Sequence, residues 1–199
     1  MKKREIDIFG VLVGLVVGCI LGFFLSTRID LGMPDNNDEE VLGQVGHIYL
    51  IQLEKTTSPI VAEDSLKTIK AKDLFAVAVT EGNNYYIYGG IANNESELST
   101  QVEAFSSNGF SPIIKKVYIK DLPNAVIEDT VLFDFYTECV DNLIKSLNNE
   151  ALVIGDRTKS NPVDIELFSH ILALDSIQND KLLNELRLVV YELIAERLA

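Results

Sequence analysis

The chain has 199 residues, 47% of them hydrophobic, and its 17 basic and 30 acidic residues give a formal net charge of −13. That balance excludes nucleic acid as a partner, because phosphate binding needs a basic patch. The two histidines, His47 and His170, lack metal-ligand spacing, and no G-x-S-x-G or H-E-x-x-H pattern is present. The expectation is a non-catalytic protein with no metal site and no cofactor.

An uncharged apolar run from Ile8 to Leu25 follows Lys2, Lys3 and Arg4 and precedes Arg28. It is long enough to cross about 30 Å of hydrocarbon as a helix. The basic cluster on its amino side keeps the first residues in the cytoplasm and sends the chain after Arg28 across the membrane. Residues 1–28 are therefore predicted as a cytoplasmic tip and a transmembrane helix spanning 8–25, giving a single-pass cell-membrane protein whose later residues are extracytoplasmic. Beyond Arg28 the chain keeps 13 basic and 28 acidic residues. Val16-Val17-Gly18-Cys19 has the form of a lipoprotein cleavage box, but the apolar run continues through Ile20 to Leu25, where a lipoprotein turns polar. Gly10, Gly14, Gly18 and Gly22 fall on one helix face, which would let a second helix approach and form a homo-oligomer; glycine is also simply common in membrane spans.

Residues 29–46 include Pro34, Asp35, Asn36, Asn37, Asp38, Glu39 and Glu40 and read as an acidic linker. Two similar stretches follow, one opening at Tyr49-Leu-Ile-Gln-Leu and the other at Tyr86-Ile-Tyr-Gly-Gly, 37 residues on. Strand one is predicted over His47–Leu53, then a helix from Pro59 to about Lys72 with Ile60, Val61, Leu66 and Ile69 as candidate buried positions. Strand two, Leu74–Thr80, joins strand three, Tyr85–Gly90, through a Glu81-Gly82-Asn83-Asn84 turn. Asn93 or Asn94 caps a second helix carrying Leu98, Val102 and Phe105, Asn108-Gly109 stops it, and Ser111–Ile119 is strand four. This βαββαβ order predicts a split sheet with both helices on one face and the other face free to bind.

From 122 to 199 the pattern becomes helical: Val131, Phe135, Cys139, Leu143 and Leu147, then Leu167, Ile171 and Leu174, then Leu182, Leu186, Val189, Leu193 and Ile194. Asn161-Pro162 starts the middle helix of a predicted three-helix unit. Periodicity leaves open whether this unit packs as a separate bundle, against the sheet, or as a partner surface. Cys139 among Phe135, Tyr136 and Leu143 reads as core packing.

The α+β order, with Tyr49-Leu-Ile-Gln-Leu, Tyr85-Tyr-Ile-Tyr-Gly-Gly-Ile and Asn108-Gly109-Phe110, resembles the SPOR (sporulation-related repeat) domain over residues 47–121. The resemblance implies a ferredoxin- or RNP-like fold and non-catalytic binding of peptidoglycan, as glycan strands stripped of stem peptides, in cell division or sporulation. It places the binding residues on the sheet face away from the helices: Leu50, Gln52, Tyr86, Tyr88 and Lys115. Tyrosine rings can cover a pyranose face while hydroxyls, an amide and a lysine reach its polar groups. Two departures stand out. Glu54-Lys55-Thr56 replaces a small turn after strand one, and Tyr88 replaces a common arginine. An assembly protein that uses a degenerate SPOR-like fold to contact other envelope proteins is the alternative.

Overall fold

The computed structural model describes residues 46–120, 123 and 129–198. The predicted membrane span, its four glycines and linker residues 29–45 lie outside the described residues. Among the described residues no helix is long and apolar enough to cross a membrane.

The repeat forms β1 (His47–Thr56), α1 (Pro59–Lys70), β2 (Val77–Glu81), β3 (Asn84–Ala92), one 3₁₀ turn (Glu95–Leu98) continuing into α2 (Ser99–Ser107), and β4 (Ile113–Tyr118). The sheet has order β2-β3-β1-β4, and each neighbouring pair is antiparallel. Local chemistry explains the ends of these elements. Ser58 caps α1 by accepting from the Val61 N–H, with Pro59 just inside, and Asn94 caps the 3₁₀ turn through Ser96. Gly82, at φ +58°, supplies the backbone conformation of the β2–β3 turn.

Glu54-Lys55-Thr56 lengthens β1 where a turn was expected. The β1–β3 register shifts on both sides of Gln52. Glu54 then points to the α1 side, where its carboxylate accepts from the Ser65 hydroxyl, while Lys55 lies over the Tyr86 ring on the opposite face. Gly89 and Gly90 allow α2 to come close: a Cβ at Gly89 would sit 2.4 Å from Phe105 Cζ, and one at Gly90 2.1 Å from Gln101 Oε1. β2 starts three residues later than expected, leaving Leu74–Ala76 outside the strand.

Among the described residues the C-terminal part shows four helices where three were expected: α3 (Thr130–Leu147), α4 (Asp156–Ser160), α5 (Ile165–Leu174) and α6 (Asp180–Arg197). The unexpected α4 is held to α3 by Glu138, which accepts from the Gly155 N–H at 2.7 Å and the Thr158 hydroxyl at 2.7 Å. The N-cap of α5 is Asp164, which accepts from the Leu167 N–H, so Pro162 stands just outside the helix it was expected to open. Arg197 ties the end of α6 to the start of α5 through Asp164 and Glu166, each at 3.0 Å.

The described residues form one compact unit. The sheet therefore has two covered faces and the fold three layers. On one side Ile51 and Ile87 pack with Ala62, Ile69, Leu98 and Phe105 of α1 and the α2 region. On the other, Ile48, Leu50, Val77, Val79, Tyr88 and Ile91 pack with Phe135, Cys139, Leu143, Leu188, Tyr191 and Ile194 of α3 and α6. The face predicted to be free is the floor of the larger core. Cys139 belongs to that core, and burial pushes its thiol well above the ordinary range.

Candidate functional site

Leu50, Gln52, Tyr86, Tyr88 and Lys115 were assigned to one sheet face, and the backbone places them there. Leu50 is opposite Lys115 across β1 and β4, and Gln52 opposite Tyr88 across β1 and β3. Their surroundings divide them. Leu50 is 0% exposed and Tyr88 4% exposed, Gln52 and Tyr86 are half-buried, and Lys115 is exposed.

An aromatic stack explains the burial. The Tyr86 and Tyr88 rings lie parallel, 6.1 Å apart at 7°, and Tyr191 of α6 meets Tyr88 edge-on at 5.9 Å and 77°. Lys55 Nζ lies 5.1 Å from the centroid of the Tyr86 ring. A ring from α6 thus occupies one side of the tyrosine that would stack on a sugar. Burial raises the hydroxyl pKa of both Tyr88 and Tyr191, so each remains a neutral phenol.

No family model matches this chain. No curated protein does so either. Among solved structures it is similar to the solution structure of the peptidoglycan binding domain of the B. subtilis cell wall lytic enzyme CwlC. The likeness covers 36% of this chain and 90% of that one, at 15% identity and a TM-score of 0.33.

Glu192, one residue beyond Tyr191, serves the same contact. Its carboxylate stands near the Ala78 backbone N–H on β2, and α6 covers the sheet face beside that strand. Burial, and then the neighbouring Glu196, raise its pKa to about 7, against the opposing pull of that N–H. Because the folded pKa lies above the ordinary value of 4.5, the folded state holds this proton more tightly than the unfolded chain. The resulting stabilisation is complete below pH 4.5 and disappears as pH rises through about 7. Discounted for partial exposure, it amounts to about 1–2 kcal/mol. Urea unfolding should therefore show lower stability at pH 8 than at pH 5, and Glu192→Gln should remove most of that difference; an unchanged pH slope in the variant would show that other groups produce it.

The sequence does not point to Tyr191, Glu192 and Arg187, because helical periodicity in α6 picks out Leu182, Leu186, Val189, Leu193 and Ile194. In the structure Leu182 is 51% exposed, whereas Arg187, Leu188, Val190, Tyr191, Leu193 and Ile194 are buried. A helix lying between a sheet and two other helices buries most of its circumference, so no single 3.6-residue stripe describes it. The run Leu188-Val189-Val190-Tyr191 was the available signal, since continuous apolar sequence marks a helix buried on several sides.

Proposed function

We propose that this is a non-catalytic bacterial envelope assembly protein, anchored by residues 8–25 and facing outward from the membrane, in which the SPOR-like repeat serves protein contacts in place of glycan. One observation carries this reading: Leu50 and Tyr88, the centre of the glycan-binding face inferred by resemblance, are buried in the core shared with the C-terminal helices, with Tyr191 of α6 packed on Tyr88. A sugar cannot stack on a ring already in contact with another. The basic tip and apolar run support the membrane anchor, and the acidic chain beyond Arg28 supports work away from nucleic acid.

Peptidoglycan binding remains as a second reading because Leu50, Gln52, Tyr86, Tyr88 and Lys115 do share one face. Glycan could reach their centre only if α6 left the sheet. A sacculus pull-down with the detergent-purified full chain separates the readings. The assembly reading expects no retention above that of the Tyr88→Ala variant. Retention of the wild type, lost on Gln52→Ala and Lys115→Ala, would establish glycan binding and overturn it.

A further inference from the structure

The two outer strands of the sheet are treated differently. At β2 the strand packs against α6, with Glu192 beside the Ala78 backbone. Among the described residues no helix plays this part at β4. The Ile119 N–H donates to the Gly46 carbonyl at 2.9 Å, which makes that pair a hydrogen-bonded one and fixes the alternation along the ladder. Combined with the β1–β4 register, it turns the backbone groups of Ile113, Lys115 and Val117 toward β1 and those of Ile114, Lys116 and Tyr118 away from the sheet. Among the described residues none of these three outward N–H groups has a partner.

The side chains on this strand suit an added strand. Ile113 is 54% exposed and Tyr118 42% exposed. Ile114 and Val102 line a shallow groove between β4 and α2. Lys115, Lys116 and Lys120 are exposed, and none forms a salt bridge among the described residues. This is a local concentration of unpaired cations in a chain of net charge −13. Lysines on an edge strand oppose pairing of β4 with its own copy, since like charges would meet across the ladder. The same lysines favour a strand that carries carboxylates.

We propose that β4 is a docking edge for an extended acidic segment of a partner protein, which adds as a fifth strand by hydrogen bonding to Ile114, Lys116 and Tyr118 while carboxylates on its two faces meet Lys115 on one side of the sheet and Lys116 on the other. This deepens the assembly reading and rests on it. The probe is a soluble decapeptide built on a Glu-Glu-Val-Thr repeat, which carries carboxylates on both faces of the strand, compared with one carrying Lys in place of Glu, against the full chain in detergent. The acidic peptide should bind at least about tenfold more tightly than the basic one and slow amide exchange at Ile114, Lys116 and Tyr118. Lys116→Pro deletes one outward N–H without touching the β1 ladder. Both it and the Lys115→Glu/Lys116→Glu double variant should abolish the preference while leaving the thermal midpoint unchanged. Equal binding of the two peptides, or protection centred away from β4, overturns the proposal. So does slow exchange of the three amides before any peptide is added, which would mean that the acidic linker or a second copy already occupies the edge. Sacculus retention bears on the assembly reading, whereas the peptide preference bears on the edge itself, so failure of one is distinguishable from failure of the other.

Discussion

Tyr88→Ala is expected to destabilise the protein by about 3–4 kcal/mol, the range for emptying an aromatic site in a packed core. The ring is 4% exposed and held between Tyr86 and Tyr191. For a chain of this size, that corresponds to a fall of about 6–15 °C in the thermal midpoint. On an open sheet face the same substitution would cost under about 0.5 kcal/mol, so calorimetry alone tells a buried floor from a binding platform. Tyr191→Ala should cost a similar amount, and the double variant should cost less than the sum by about 0.5–1.5 kcal/mol because the two rings contact each other. Strict additivity would show that the rings do not interact.

Arg187→Ala should cost about 2–4 kcal/mol in urea unfolding, for a different reason. Arg187 is 8% exposed and has no carboxylate among its hydrogen-bond partners. Its guanidinium donates to the Ser146 hydroxyl at 3.0 Å, to the Ser146 carbonyl, and to the side-chain oxygens of Asn149 and Asn184, each at 3.0 Å. Ser146 stands in the last turn of α3, where carbonyls lack intrahelical donors and the helix dipole attracts a cation. The arginine thus closes α3 from α6. Burial draws its pKa down, opposed by Glu97 and Asp180. Arg187→Met keeps much of the aliphatic packing without the donors. If Met restored full stability, packing rather than capping would be the source.

The repeat was legible because its signals are local. Pro59, Asn94 and Gly82 act within a few residues of themselves, and the alternation of β1 and β3 is a local property of each strand. What covers the sheet face of Tyr88 was not legible. Tyr88 has the same identity and neighbours in sequence whether it stacks on a sugar or on Tyr191, and aromatic residues favour strands in either case. Glu54 and Lys55 were noticed as departures from the SPOR pattern, but their effect, a longer and irregular β1, depends on the Ser65 and Tyr86 side chains across space. The C-terminal helices were found by periodicity. The docking side of α6 was missed because the helix buries more than one stripe, and α4 was missed because it depends on Glu138 of another helix.

The contact between Tyr88 and Tyr191 also bears on how the chain reaches its structure. It joins residues 103 positions apart in the sequence, and the core it belongs to is complete only when the first strand and the last helix have met. Closing so long a loop costs entropy before any burial offsets it, and folds dominated by such non-local contacts form slowly. Residues of the repeat and of the C-terminal helices thus share one buried cluster, and ordering either side of it waits on the other.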